Sequence, residues 1–546
     1  MLGSETPGAR LDWPPRMDYP VESFTPDERA SLAPHFTNLD RPVFALVNLP
    51  ETVKGAMFAR YSRYPGTLRR LFLDEFAGDL SEGARAAFDG AEGERARQLY
   101  ERIFLGYGDD SVAQLGGVHV ACEWVSNVMT KVLQRGRLAA YLEQSTRYIA
   151  YDQPMPGGGY RYWRHPELGP EHDAAMDSLF TTYAQSIPGV MAWAAERFPR
   201  ADGEPEAAHQ RSLKAKALDL LRGLLPAGSL SHMGIYATGQ AYEQLLLRLH
   251  SSPLPESREM GRMILGELRQ VVPSFVARVD RADRGGEWAS YLEGRAQAAE
   301  RWATRLGLDR ERGSQRGPVV KLLEARGSEE HLLAALVFEA ASCPEDEARR
   351  AVRNLPPDER ETMLAELVGE RANRRHKPGR GLEALSYRFE VVSDYGAFRD
   401  LQRHRLLTVQ WQTLGPELGA GVPDELEPAG VADAYRAGLE RSREEYERLV
   451  AIGHPELAPY ALCLGYRIRY VLDLNAREAM HLVELRSARE GHPSYRAVAH
   501  AIHSEIASVH PSVAAAMTHV DTEREPRLER ILSEIRTHAR QAAATT

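Results

Sequence analysis

The chain has 546 residues, 43% hydrophobic and 8% aromatic, with 68 basic side chains against 77 acidic ones. That length allows two to four domains with cores of their own, and a net charge of −9 excludes a protein that coats nucleic acid or an anionic membrane. Cys122, Cys343 and Cys463 are too scattered for a disulfide scaffold or a cysteine zinc site, and no apolar run approaches the ~18 residues of a membrane span, so a reducing, cytoplasmic setting is expected. Residues 1–40 are rich in proline without apolar periodicity, which predicts an extended N-terminal arm. From Phe44 to about Val279 the pattern is mostly amphipathic helix, giving a first domain over 41–284. Residues 285–317 form a charged connector, helical in part, before a second domain over 318–546. There a helical stretch is expected from Val319 to about Val368. A basic loop over 370–380 follows, then a strand over LSYRFEVVS (385–393), then mostly helix to about Arg540. Only 6 of the basic residues are lysine, so arginine is abundant and a lone one is weak evidence of function.

Internal repeats change how every motif is read. VVPSFVARVD (271–280) resembles VHPSVAAAMTHVD (509–521), with Pro273 and Pro511 238 positions apart. The same spacing lays ATGQAYEQLLLR (237–248) over NAREAMHLVELR (475–486). Upstream, QRGRLAAYLEQSTRY (134–148) matches QRHRLLTVQWQTLG (402–415) at a spacing of 268. The difference predicts an insertion in the first copy between Tyr148 and Arg222, where YDQPMPGGGYRYW lies. Matched segments in the same order point to two fused copies of one unit rather than to chance likeness of helices. Gly157-Gly158-Gly159 lacks the Lys-Ser/Thr of a phosphate loop and reads as a hinge. His500, His503 and Glu505 lack a further ligand at suitable spacing and read as a surface helix, so no metal is expected.

Arg135-Gly136-Arg137, with Ser145 after seven intervening residues inside Glu143-Gln144-Ser145-Thr146-Arg147-Tyr148, resembles the signature of the flavin-dependent thymidylate synthases. That signature is Arg-His-Arg-X7-Ser, extended to Glu-x-Ser-x-Arg-Tyr. The second copy has Arg403-His404-Arg405 with Thr413 at the same distance. Asn475-Ala476-Arg477, on a segment ending Leu485-Arg486, is similar to the family's second signature. FARYS (58–62), containing Ser62, looks like its Ala-Arg-x-Ser. Arg222 to Pro226 looks like its Arg-x-x-Leu-Pro, and Glu383 stands where the family keeps a Glu before its strand. The resemblance covers about 44–280 and 330–521.

The resemblance implies an α+β fold: two copies of a helix-rich unit, each with a central, mainly antiparallel sheet. It implies conversion of dUMP, or a related pyrimidine nucleotide, to its 5-methyl product with FAD, methylene-tetrahydrofolate and NADPH. The alternative is a degenerate paralogue that binds flavin or nucleotide without methyl transfer. Arginine forks suit the phosphates of both ligands. Carried over residue by residue, Glu143, Gln144, Ser145, Arg147 and Arg222 would bind substrate. Ser62, Glu383, Arg403, His404, Arg405, Asn475, Arg477 and His481 would hold the flavin, with Asn475 placed to cap a helix. Arg486 would be catalytic, its guanidinium stabilising negative charge on the pyrimidine. Family members are homotetramers, so a homodimer of fused pairs would mimic them.

Each copy departs from the signatures. Gly136 replaces the first histidine. At the 238 spacing, Ala237, Gly239 and Glu243 stand opposite Asn475, Arg477 and His481, and Tyr460 opposite Arg222. Trp411, Thr413 and Gly415 replace the second copy's Glu, Ser and Arg. The losses are complementary, so one composite site is expected where Ser145 and Arg147 of the first copy face Arg486 of the second. The mirror site would pair Thr413 and Gly415 with Arg248 and lack phosphate binding.

Overall fold

The computed structural model describes residues 19–20, 22–49, 51–61, 63–77, 114, 116–155, 158–308 and 319–545. Each copy is built on a four-stranded antiparallel sheet with the same topology. β1 (Val43–Leu46), β2 (Gly117–Ser126), β3 (Ala139–Glu143) and β4 (Leu230–Thr238) run in the order β1-β2-β4-β3. β5 (Val319–Arg326), β6 (Ser386–Asp394), β7 (Leu407–Trp411) and β8 (Arg467–Asn475) run β5-β6-β8-β7. β8 shows why these segments are strands: Ile468, Tyr470, Leu472 and Leu474 are buried and alternate with partly exposed residues, a period of two. Helical readings across 44–279 and 319–368 therefore give way at all four strands of the first copy and at β5. Runs of four to ten residues are too short for periodicity to separate strand from helix, and cross-strand pairing decides them.

The two copies meet about a pseudo-twofold axis, visible as reciprocal hydrogen bonds. The Ala227 N–H donates to Leu462 O at 2.7 Å, and its counterpart Leu464 N–H donates to Leu225 O at 2.8 Å. Gly228 N–H to Tyr460 O (2.8 Å) is mirrored by Gly465 N–H to Gly223 O (2.9 Å). Pro226 and Cys463 bridge at the centre. These pairs fix the spacing at 237, one less than the flanking segments give. The N-cap residues Thr238 and Asn475 are then equivalent, each accepting from the amide three residues on. Thus Thr238, Gln240 and Gln244, not Ala237, Gly239 and Glu243, stand opposite Asn475, Arg477 and His481, and Pro459, not Tyr460, stands opposite Arg222. The spacing returns to 238 at the helices Pro255–Val271 and Pro493–Val509.

The insertion is real, but its substance differs from the expectation. Eighty-six residues join β3 to β4 and 55 join β7 to β8. The first connection holds helices Gly169–Arg197 and Glu206–Leu221, the second only Ala432–Ala451. An added helix, rather than the glycine- and proline-rich segment, makes up most of the difference. Gly158 and Gly159 do take positive φ there, 95° and 74°.

The first copy keeps a cluster of its own around β2 and β4, with Val120, Ile235 and Leu246, but its segment between β3 and β4 joins the core of the second copy. Leu179, Phe180, Val190, Leu218 and Leu221 of the first copy belong to one apolar cluster with Tyr435, Leu439 and Leu472 of the second. The C-terminal helix Ile531–Thr545 returns to the Glu206 helix, where Lys216 Nζ meets Glu529 Oε1 at 2.9 Å. The connector forms helix Glu287–Arg305 against helix Gly239–His250. The expected arm is partly folded: Pro26–Leu32 is a helix with a Thr25/Glu28 capping box, Phe36 and Leu39 are buried, and Glu22 and Glu28 hold Arg70. Residues 1–18 lie outside the described residues. Among the described residues, no helix is long and apolar enough to cross a membrane.

Candidate functional site at the junction of the copies

Two short helices carry the arginine loops to the junction. Asn127–Leu133 is capped by Ser126 and Tyr395–Leu401 by Asp394, and each has seven residues, so the loops 135–137 and 403–405 leave at equivalent places. They cross reciprocally: Arg137 Nη2 donates to Thr408 Oγ1 at 2.8 Å on β7, and Arg405 Nη1 donates to Ala139 O on β3. Arg403 and Arg405 face outward and are exposed, whereas His404 between them is buried.

Glu143, at the end of β3, is the electrostatic centre of the junction. It is buried and accepts from Lys131 Nζ (3.0 Å) and Gln134 Nε2 (2.9 Å) of its own copy, and from Arg399 Nη2 (2.5 Å) and Arg403 Nη2 (3.1 Å) of the other. Burial alone would raise its pKa, but Lys131, Arg399 and Arg403 outweigh it and hold the carboxylate ionised, well below the usual range. Burial among these cations lowers the Lys131 ammonium to about 7.

A second carboxylate gathers the remaining arginines. Asp400 accepts from Arg222 Nη1 at 3.3 Å and lies 3.8 Å from Arg403 Nη1. Burial pushes its pKa up, but Arg403, Arg222, Arg486 and Arg147 together hold it well below the ordinary value. Arg147 and Arg486 flank one ring from opposite copies: their guanidinium carbons lie 5.9 and 5.5 Å from the Tyr495 centroid, and Arg147 Nη1 donates to the Tyr495 hydroxyl at 3.1 Å. Arg147 also forms a fork on Asp219, at 2.7 and 2.6 Å. Ser145 is half-buried beside it and accepts from the Arg147 N–H at 3.3 Å.

Behind this cluster runs a chain of three side chains. Arg486 Nε donates to His404 Nε2 at 3.0 Å, which leaves the imidazole proton on Nδ1, facing Glu478 Oε1 at 2.7 Å. Burial lowers His404 to about 4, against the pull of Glu478, so the ring is neutral near pH 7. Glu478 is brought to about 2: burial opposes ionisation, but hydrogen bonds from His404 and His481 overcome it. The other Glu478 oxygen lies 3.3 Å from His481 Nδ1. Asn475 Oδ1 accepts the Glu478 N–H at 2.9 Å, capping helix Ala476–Arg486. His404, Glu478 and His481 place ligand atoms within 4.8 Å of one another, the geometry of a possible metal set that the sequence pattern does not single out.

The remaining expected residues lie elsewhere. Arg477 turns to the basic loop, donating to Pro378 O (3.0 Å) and Glu383 Oε1 (3.5 Å). In that loop Arg371 is not a free charge but forks onto buried Glu484. Gln144 is buried inside the first copy, its amide donating to Tyr64 O and its carbonyl accepting from Arg161, both at 2.8 Å. Arg222 is buried, and its Nη2 makes no hydrogen bond but lies 3.9 Å from Asp394 Oδ1. Ser62 lies outside the described residues. His500 and His503 face the backbone carbonyls of Asp521 and Ala514, and Glu505 accepts from Leu322 N–H. The signatures do not include Lys131, Asp219, Arg399, Asp400, Glu478 or Tyr495. Of these, only Lys131 and Arg399 carry a sequence signal, as basic residues at equivalent places in the repeat.

A doubled antiparallel α+β unit with arginine loops crossing its axis defines the class. The chain belongs to the family described as thymidylate synthase complementing protein, which it matches over residues 70–274 and 324–512. It is 38% identical over 515 residues to a UPF0159 protein of Chlamydia muridarum (strain MoPn / Nigg), covering 91% of this chain and 96% of that protein. It is 30% identical over 512 residues to UPF0159 protein Ta1429 of Thermoplasma acidophilum, covering 88% and 98% respectively. A flavin-dependent thymidylate synthase of Halobacterium salinarum is 32% identical over 78 residues, 14% of this chain and 32% of that protein. Among solved structures, a UMP/dUMP methylase PolB from Streptomyces cacaoi bound with 5-Br dUMP matches 38% of this chain and 97% of its own, with 21% identity and a TM-score of 0.31.

Proposed function

We propose that the chain is a flavin-dependent methylase of dUMP or a closely related pyrimidine nucleotide, with one composite site at the junction. A single observation carries this reading: Arg147 of the first copy and Arg486 of the second, the intact parts of two damaged signatures, flank the same tyrosine. The donor set fits a flavin dinucleotide. Arg403 and Arg405 are exposed, and Arg477 is partly exposed with only a 3.5 Å bond to its carboxylate, so all three can turn N–H groups toward phosphates. Those three, with His404, Asn475 and His481, would hold FAD, and the bound flavin supplies the hydride that completes the methyl group. Methylene-tetrahydrofolate would supply the carbon and NADPH the reducing equivalents.

The chain's own residues divide the remaining work. Ser145 and Arg147 bind the nucleotide, with its phosphate competing against Asp219 for the Arg147 fork. Arg486 sits against neutral His404 and a cluster that shares Asp400 among four arginines. It therefore has attraction to spare for negative charge on the pyrimidine N3/O4 edge. Glu478 holds His404 in the tautomer that accepts from Arg486.

The test is tritium release from dUMP labelled at C5, with FAD, methylene-tetrahydrofolate and NADPH present. Release that depends on all three supports the assignment. Flavin uptake without release from dUMP or UMP would replace it with the non-catalytic binder, for which the occupied Arg147–Asp219 fork speaks.

A further inference from the structure

The same position in the two copies is filled in one and hollow in the other. In the second copy His404, Glu478 and His481 occupy the space between the arginine loop and the Ala476 helix, and Arg477 on the same helix turns to the basic loop. Their counterparts are Gly136, Gln240, Ala241 and Gln244. All four line a cavity of about 520 Å³ between the first arginine loop, β4 and the Gly239 helix. Its volume lies in the range of small-molecule sites. Where the second copy has an imidazole, a carboxylate and a second imidazole, the first has a glycine, an alanine and a glutamine, and the space is open.

The charge balance is equally uneven. Arg147, Arg222, Arg403 and Arg486 of the composite site each have a carboxylate beside them: Glu143, Asp219 or Asp400. Arg248, on the cavity wall, has none among the described residues, and its Nε is buried without a hydrogen-bond partner. Arg137 shares the wall and bonds only a hydroxyl, Thr408 Oγ1. Arg135 leads into an adjoining recess of about 160 Å³ and rests on the Trp411 ring at 5.0 Å. Arg295 of the connector helix adds a like charge beside it. Burial depresses both Arg135 and Arg248; at Arg248 the Tyr141 hydroxyl opposes it and Arg135 adds to it as a like charge. No carboxylate lines the larger cavity among the described residues; Ile235, Ala237, Ala241 and Leu245 give it an apolar wall, and Gln240 and Gln244 bring amide donors and acceptors. Arg135 and Arg137 are exposed and Arg248 is half-buried with its Nε enclosed, so an anionic ligand would meet three guanidinium groups that no carboxylate among the described residues neutralises.

We infer that the first copy carries a second ligand site, distinct from the composite site, for a phosphorylated aromatic compound of nucleotide type. The ring would lie against the apolar wall with its edge toward the glutamines, and the phosphate would meet Arg248 and Arg137. The site does not depend on methyl transfer at the composite site.

The test is a binding titration of the full chain with UMP, AMP and FMN, which differ in ring but share the phosphate, and with inorganic phosphate alone. At least one nucleotide is expected to bind with a component that Arg248→Met weakens by about tenfold or more, the loss of a charged hydrogen bond. Ala241→Trp, which fills the cavity, should do the same, and Arg486→Ala should change that component by less than about twofold. The ligand-free melting temperature of Arg248→Met should equal or exceed that of the wild type, because the change removes a half-buried charge with no carboxylate partner among the described residues and roughly keeps the volume. This keeps lost binding separate from lost folding. The inference is overturned if no nucleotide shows an Arg248-dependent component, if Arg486→Ala removes that component equally, or if inorganic phosphate alone binds as tightly. A chain inactive toward dUMP but retaining this binding would overturn only the methylase assignment.

Discussion

Arg403 and Arg135 occupy the same place in the two copies, yet they cross the pseudo-twofold axis to different partners. Arg403 reaches the carboxylate of Glu143 at 3.1 Å; Arg135 lies over the indole of Trp411, which stands where the other copy has that glutamate. In a symmetric assembly of identical chains, a substitution at this position would alter every crossing. Fusion frees each crossing to change alone. One crossing has kept a charge-paired, four-donor carboxylate, and the other has become a stacked contact beside an open cavity. Conservation of the backbone topology therefore says nothing about conservation of chemistry.

Breaking the charged crossing should have the largest effect. Glu143→Ala leaves Lys131, Arg399 and Arg403 facing one another, and is expected to cost about 3–5 kcal/mol of stability, as for other broken buried ion pairs. Chemical denaturation measures this, and a loss under 1 kcal/mol would show that the cluster does not hold the copies together. Next comes Arg486→Ala, expected to lower kcat by about 100- to 1,000-fold with little change in KM, as when one transition-state donor is removed. Arg147→Ala should act on affinity instead, weakening dUMP binding by about 1.5–3 kcal/mol in equilibrium dialysis. An equal fall in kcat with unchanged affinity would reverse the two assignments. On the stacked side, Trp411→Ala should cost only about 0.5–2 kcal/mol of stability. A cost matching that of Glu143→Ala would erase the contrast between the crossings.

The charged crossing also predicts a pH dependence. Lys131 is lowered to about 7 in the folded chain, so between about pH 7 and its unfolded value near 10.4 the folded state binds fewer protons than the unfolded one. Its contribution to stability therefore rises as pH is raised through that window and is absent below it. The stability difference between wild type and Lys131→Met should move in favour of the wild type from pH 7 to 10. A flat difference would mean that Glu143 keeps the ammonium charged throughout.

Duplication, the two arginine loops, the insertion before Arg222 and the helix cap at Asn475 were all legible in the chain, because they rest on residue identity at fixed local spacing. Of the strands only β6 was, as the expected strand over 385–393. β5 differs little from a helix segment in apolar content, and pairing with β6 decides it. The spacing of 237 at the axis, against 238 beyond it, was hidden because a one-residue shift barely changes how two amphipathic helices align. Asp219, Asp400 and Tyr495 could not be found by signature, since each acts through a partner on another element, often in the other copy.

The sequence by itself determined that two related units are joined, which signature residues each retains, and that their losses are complementary. Only the tertiary structure decided that the retained halves meet. Whether Arg147 and Arg486 share one tyrosine depends on how two sheets pack about an axis whose crossing loops, Arg137 with Thr408 and Arg405 with Ala139, join residues 271 and 266 apart along the chain. Local spacing carries no information about that packing. It is set by the common apolar core and by a few buried charges, whose energies depend on neighbours that the linear order keeps apart.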